Sequence, residues 1–157
     1  MSEKYDRHFL KTAELHAKLS KDPSTKVGAV IVGTEREGLV WGFNGLPRGL
    51  KDTPERLNNS ELKNKLVVHA EINAVLVAAK LGIPLKGTTM YIAACNCSGD
   101  VWGGPPCHRC LVEIIQAGIT EIVTYPFKSV PSKWKESLEL SMMIINEVGI
   151  KYREVSP

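Results

Sequence analysis

No stretch of this 157-residue sequence is long and apolar enough to cross a bilayer. The charged start, Met1 to Arg7, is followed by no apolar run of the kind a secretory leader needs. The chain therefore reads as cytoplasmic, where thiols stay reduced. No run of like charge is present either: the net charge is +3, and the lysines are spread along the chain. That argues against a nucleic-acid groove, which calls for clustered Lys and Arg, and it suits a phosphorylated small substrate. No internal repeat and no low-complexity tract divides the sequence. Its length fits one domain over residues 1–157, large enough to bury a core without disulfides. Cysteine is scarce, and all four (Cys95, Cys97, Cys107 and Cys110) fall within 16 positions. In a reducing compartment such crowding points to metal binding or catalysis.

Helix and strand patterns alternate. Residues 4–20 have helical spacing, with Phe9, Leu10, Ala13 and Ala17 on one face, and Asp22-Pro23 stops the run. Two β-branched stretches, Val27–Val32 and Leu39–Phe43, flank a Gly33–Gly38 hairpin loop. Residues 44–67 are polar and read as a long loop with a helical turn near Glu61, and loops of that length are often functional. His69–Leu81 is apolar almost all round, which predicts a helix buried on most sides and ended by Gly82 and Pro84. Beyond it come a strand at Thr88–Ala94, a Gly- and Pro-containing loop at Cys95–Pro106 and a helix at Cys107–Ala117. A strand at Glu121–Tyr125, a helix capped by Ser132 and running to Val148, and a strand at Ile150–Val155 complete the order. The pattern predicts a three-layer α/β/α sandwich, and the opening hairpin makes its five-stranded sheet mixed.

The chemistry concentrates in His69-Ala70-Glu71 and Pro106-Cys107-His108-Arg109-Cys110. Together these resemble the H-x-E … P-C-x-x-C signature of zinc nucleobase deaminases. Zinc takes N and S ligands in a tetrahedron, and a catalytic site leaves one corner to water. His69, Cys107 and Cys110 supply three ligands. The two cysteines lie one helical turn apart at a predicted helix start, where the helix dipole favours thiolates. Glu71, in the same turn as His69, can reach the open corner without being a ligand and shuttle protons there. A purely structural zinc site needs a fourth protein ligand, for which Cys95, Cys97 and His108 are candidates, but it gives Glu71 no role. Cys95 and Cys97 read either as free thiols or as ligands of a second metal. Trp41, Trp102 and Trp134 read as packing residues, Trp102 standing in the loop that enters the site.

Beyond the signature, Asp22 to Ile31, Gly42 to Gly49, His69 to Ala74 and Ile114 to Ile119 resemble the corresponding segments of the deoxycytidylate (dCMP) deaminases. The likeness runs over about residues 5–125. It implies a cytidine-deaminase-like fold, catalytic Zn²⁺, and hydrolysis of dCMP to dUMP and ammonia, feeding thymidylate synthesis. It further implies that Asn44 and Ala70 contact the substrate, with Tyr125, or its neighbour Thr124, beside the base. Ser24, Lys26 and Arg48 stand as phosphate contacts. Many dCMP deaminases are homohexamers activated by dCTP and inhibited by dTTP, with Mg²⁺ on the triphosphate. The resemblance assigns that control to Phe43, Asn44, Gly45 and Arg48. Phe43 stands where the family usually has Tyr, the Cys95–Pro105 loop is longer than usual, and the C-terminal third matches poorly.

Two classes compete with that assignment: a tRNA adenosine deaminase or other cytosine nucleoside deaminase, sharing the zinc chemistry, and a non-catalytic zinc-stabilised interaction domain. The first lacks its basic patch with interleaved aromatics; the second leaves Glu71 unexplained.

Overall fold

A computed structural model describes residues 2–127 and 132–157. The chain opens with α1 (Glu3–Ala17), whose buried stripe is the predicted Phe9, Leu10, Ala13 and Ala17, joined by Asp6. The helix ends before Asp22-Pro23 because Leu19 and Ser20 turn back onto the carbonyls of His16 and Ala17. The hairpin follows as β1 (Lys26–Val32) and β2 (Gly38–Phe43). The stretch expected to be a loop holds two short helices, α2 (Pro54–Asn58) and α3 (Ser60–Leu66). Asn59 starts α3 by accepting the Leu62 N–H on its side chain at 3.0 Å.

Next come α4 (Ala70–Leu81), β3 (Thr89–Cys95), a two-residue β4 (Val101–Trp102), α5 (His108–Gln116) and β5 (Glu121–Thr124). A 3₁₀ turn at Ser132–Trp134 precedes α6 (Lys135–Val148), and β6 (Lys151–Glu154) closes the sheet. The last helix thus starts two residues later than the sequence suggests, and no side chain caps it.

The five expected strands lie in the order β2-β1-β3-β5-β6. β1 is antiparallel to β2 and β3, whereas β3, β5 and β6 are parallel, so the sheet is mixed. β4 adds a sixth strand, pairing Ala94 and Cys95 at the end of β3. Residues along β5 alternate between two cores. Ile122 joins Met90, Ile92, Leu111, Ile114 and Ile145 on the face covered by α4, α5 and α6. Val123 joins Phe9, Leu10 and Tyr91 on the α1 face.

The α1 face also holds an ion-pair network. Asp6, 1% exposed, receives the Tyr91 hydroxyl at 2.8 Å and two Arg153 N–H groups at 2.9 and 3.1 Å. Arg153 Nε donates to Glu121 at 2.6 Å, so one guanidinium ties α1 to β5 and β6. Such a desolvated carboxylate is tolerable only with these partners.

One expectation fails. α4 buries only Ala70, Glu71, Ala74 and Ala78, and Leu76 and Leu81 stand exposed. The buried alanines have no bulk, so the helix lies close against the sheet on one side only. Its closest point is Gly42, where a β-carbon would meet the Ala70 carbonyl and the Ala74 amide nitrogen at 2.5 Å. No helix among the described residues is long and apolar enough to cross a membrane.

Candidate metal and active site

Two helix starts meet at the site. His69 is the N-cap of α4, and Cys107 is the N-cap of α5. His69 does not spend its ring on capping, and its backbone carbonyl begins the helix by accepting the Asn73 N–H at 2.9 Å. Asn73 in turn donates to the Phe43 carbonyl at 2.7 Å, fastening α4 to β2. The His69 Nδ1 is thereby aimed at the thiols, 3.6 Å from Cys107 Sγ and 3.2 Å from Cys110 Sγ.

The three ligand atoms all lie within 4.8 Å of one another. A tetrahedral zinc with bonds of ~2.0 Å to nitrogen and ~2.3 Å to sulfur sets those ligands about 3.6 Å apart, so the donor set fits that ion. Among the described residues no other His, Cys, Asp or Glu joins the cluster. His108 Nδ1 is turned to Ser137 Oγ at 2.9 Å, Cys95 is buried in β3, and Cys97 lies exposed beside the Pro23 carbonyl. Three ligands and a vacant fourth corner are the pattern of a catalytic rather than a structural zinc site.

Protonation follows from the crowding. A hydrogen bond from Cys110 to Cys107, helped by His69 and by the Cys110 backbone N–H, pulls the Cys107 thiol well below its ordinary range against the effect of burial. The same thiol pair and burial push Cys110 up. The bond to Cys107, then the charge of Glu71, lift His69 to about 9 against the effect of burial. A proton is thus held among three ligands, and a cation placed there would displace it. Glu71 is 6% exposed, and burial raises its carboxyl above the ordinary range. A carboxyl shifted towards neutrality can both take and give a proton at neutral pH.

These groups open into a cleft of about 630 Å³ whose walls include His69, Ala70, Glu71, Cys107, Asn44 and Ser24. Asn44 is occupied in part by the fold: its side chain accepts the Val27 N–H at 2.8 Å and donates to the Thr25 carbonyl at 2.9 Å. Gly45 is paired with Val68 through two backbone hydrogen bonds of 2.9 and 3.1 Å. Phe43 stacks on Trp41, itself stacked on His16, and Arg48 is exposed.

Three of the expected substrate contacts stand elsewhere. Lys26 is not in the cleft wall and donates to the Ser20 carbonyl. Arg48 does not line it either. Tyr125 is 2% exposed on the α1 face, as strand alternation after Val123 requires. Thr124 lies on the other face but is buried, its hydroxyl taken by the Gly104 N–H and the Tyr152 hydroxyl. In their place the wall carries Lys63 and Asn64 from α3, Phe127 past β5, and Lys133 before α6. Gly104, at φ +114°, lets the Phe127 ring lie against the loop where a side chain would collide. Trp102 and Trp134 line the cleft too.

Comparison with known proteins agrees with this geometry. Residues 3–126 match the family of the cytidine and deoxycytidylate deaminase zinc-binding region. The chain is 34% identical to a deoxycytidylate deaminase of Mus musculus over 98% of its length and 80% of the relative's. It is 33% identical, with the same coverage, to that of Homo sapiens. Its fold resembles the crystal structure of a dCMP deaminase from the cyanophage S-TIM5 in complex with dCMP and dUMP, with a TM-score of 0.73, 23% identity and 98% of each chain covered.

Proposed function

This chain belongs to the cytidine and deoxycytidylate deaminase family, and we propose that it hydrolyses dCMP to dUMP and ammonia as a single deaminase domain. The observation that carries the proposal is Glu71, buried in the same cleft as a three-ligand His69–Cys107–Cys110 cluster with its fourth corner open. His69, Cys107 and Cys110 would hold a zinc ion, which would supply the Lewis acidity that brings the pKa of water down towards neutrality. Glu71 takes the proton that the water gives up and passes protons to the ring nitrogen beside the reacting carbon and to the departing amino group. Water enters, ammonia leaves, and no redox partner is required. Asn44 braces the wall beside the metal ligands through its bonds to Val27 and Thr25. Ser24 and Ala70, also on the wall, are the substrate contacts from the sequence assignment that fit this cleft.

Control by nucleotides is part of the same proposal. dCTP would activate and dTTP inhibit, each as a Mg²⁺ complex, at the Phe43–Arg48 segment, whose Asn44 lines the cleft and whose Gly45 pairs with Val68, the residue before His69. The homo-oligomer, a hexamer in the sequence assignment, belongs to the same reading. Ammonia release from dCMP, CMP, deoxycytidine and tRNA tests the activity, dCMP being expected to give the highest kcat/KM. A preference for tRNA, or no release from any cytosine compound, would overturn it. Turnover against dCMP concentration with and without dCTP or dTTP tests the control; curves that neither triphosphate alters would refute it.

A further inference from the structure

The deoxycytidylate reading needs a partner for a phosphate dianion, and the two cations that sequence assigned to it, Lys26 and Arg48, stand outside the cleft. Among the described residues the cleft wall has two lysines. Lys133 is exposed, with its ammonium 5.7 Å over the Trp134 ring. Lys63 is 8% exposed and is fixed by α3. Its Nζ lies 3.0 Å from Asp22 Oδ1 and 3.5 Å from Ser24 Oγ.

Asp22 pairs with this ammonium through an oxygen that has other donors as well. The same Oδ1 also accepts the Ser24 N–H at 2.8 Å and the Thr25 N–H at 3.1 Å, so one oxygen serves three donors. A lysine has three N–H groups, and two are directed to Asp22 and Ser24, which leaves one for a ligand. Holding the ammonium this way removes the rotamer freedom that a surface lysine would lose on binding. The Ser24 hydroxyl, accepting from Lys63, keeps its own proton to donate.

Lys63, Ser24, Thr25, Asn44, His69 and Glu71 all line the one cleft, and backbone pairing ties their segments together. Val68, the residue before His69, is bridged to Gly45. Asn44, before Gly45, is bonded to Thr25, and Thr25 adjoins Ser24. Lys63 and Glu71 therefore border the same ligand space.

We propose that Lys63, with Ser24, is the specificity-determining anion site of the cleft and receives the 5′-phosphate of the substrate. The inference rests on the cytosine-nucleotide reading above. Asp22 holds Lys63 in place and gives the empty site a counter-charge.

The test measures kcat/KM for dCMP and deoxycytidine together with calorimetric binding of dUMP and deoxyuridine. Lys63→Met should lower kcat/KM for dCMP roughly 10- to 100-fold, the scale of a hydrogen bond to a charged group, while the value for deoxycytidine changes little. dUMP affinity should fall in parallel and deoxyuridine affinity should not. Asp22→Asn keeps the ammonium and should retain the preference for dCMP. If Lys63→Met is too unstable to assay, the Lys63→Met/Asp22→Asn double variant removes both charges and avoids a stranded buried ion. It should fold and still lose the preference. Equal losses on dCMP and deoxycytidine, or a double variant that still prefers dCMP, would overturn the inference and leave the deaminase reading standing. A wild type that acts equally on both compounds would do the same. A wild type that deaminates neither removes the reading and the inference with it.

Discussion

Replacing Gly42 by Ala should disable the metal site without touching any of its residues. Gly42 sits on β2 under the first turn of α4. The added methyl would lie 2.5 Å from the Ala70 carbonyl oxygen, 2.5 Å from the Ala74 amide nitrogen and 3.0 Å from Asn73 Cβ. The first two are backbone atoms and cannot rotate away. They are about 1 Å inside the ~3.5 Å at which non-bonded heavy atoms meet, so the start of α4 must lift by about that amount. That turn carries His69 and Glu71, while Cys107 and Cys110 ride on α5 and stay behind. Overpacking of this kind costs ~1–3 kcal/mol, or about 3–9 °C in Tm for a chain of this length. A misplacement of ~1 Å at reacting groups can cost ~10²-fold in rate. Calorimetric melting, zinc content and dCMP turnover are the readouts. Gly38→Ala is the control, since a β-carbon there meets nothing within 4 Å. A Gly42→Ala protein that melts within about 1 °C of wild type and turns over at a near-normal rate would refute the claim that α4 is pinned at this point.

The remaining expectations concern the ligands, the proton carrier and the far side of the sheet. Cys107→Ser and Cys110→Ser should each lose zinc and activity, and chelator-treated wild type should regain turnover when zinc is returned. Full metal content in either variant would remove that residue from the ligand set. Glu71→Gln keeps the shape but cannot carry protons, so it should bind zinc and lose at least ~10²-fold in kcat; near-normal turnover would end its assigned role. Arg153→Met strands Asp6 in the core and should cost ~3–5 kcal/mol by denaturant unfolding. Burial, the largest influence on Asp6, pushes its carboxyl up, but hydrogen bonds from Arg153 and Tyr91 and the Arg153 charge hold it below the ordinary value on balance. Its stabilising share is therefore present above the unfolded pKa of ~3.9 and lost as pH falls below it. Melts between neutrality and acid should show that loss, and Asp6→Asn should flatten it; an unchanged acid limb would refute the account.

How much of this was legible in the sequence depends on how local the signal is. The clustering of His69, Cys107 and Cys110, with Glu71 beside them, is legible because helix geometry converts spacing directly into direction: Cys107 and Cys110 sit one turn apart, and His69 and Glu71 share a turn. The order of elements along the chain and the mixed sheet follow from the hairpin and the helix–strand alternation. Tyr125 was misplaced although alternation was available, because Val123 and Tyr125 share a face and Val123 is a core residue of the α1 side. The contact carrying Lys63 could not be read in the same way. Its partner Asp22 is 41 residues away, and no period links them. The polar stretch 44–67 hides α3 because the helix is only seven residues long and leans on that one buried lysine in place of an apolar stripe. The exposed apolar face of α4 misled for the opposite reason. An all-apolar helix reads as buried, yet packing against Gly42 uses only the small residues Ala70, Ala74 and Ala78. The larger Leu76 and Leu81 are left exposed. The local chemistry of the metal was therefore written in spacing, whereas the contacts that would choose its substrate depend on which distant segments the fold brings to the same wall.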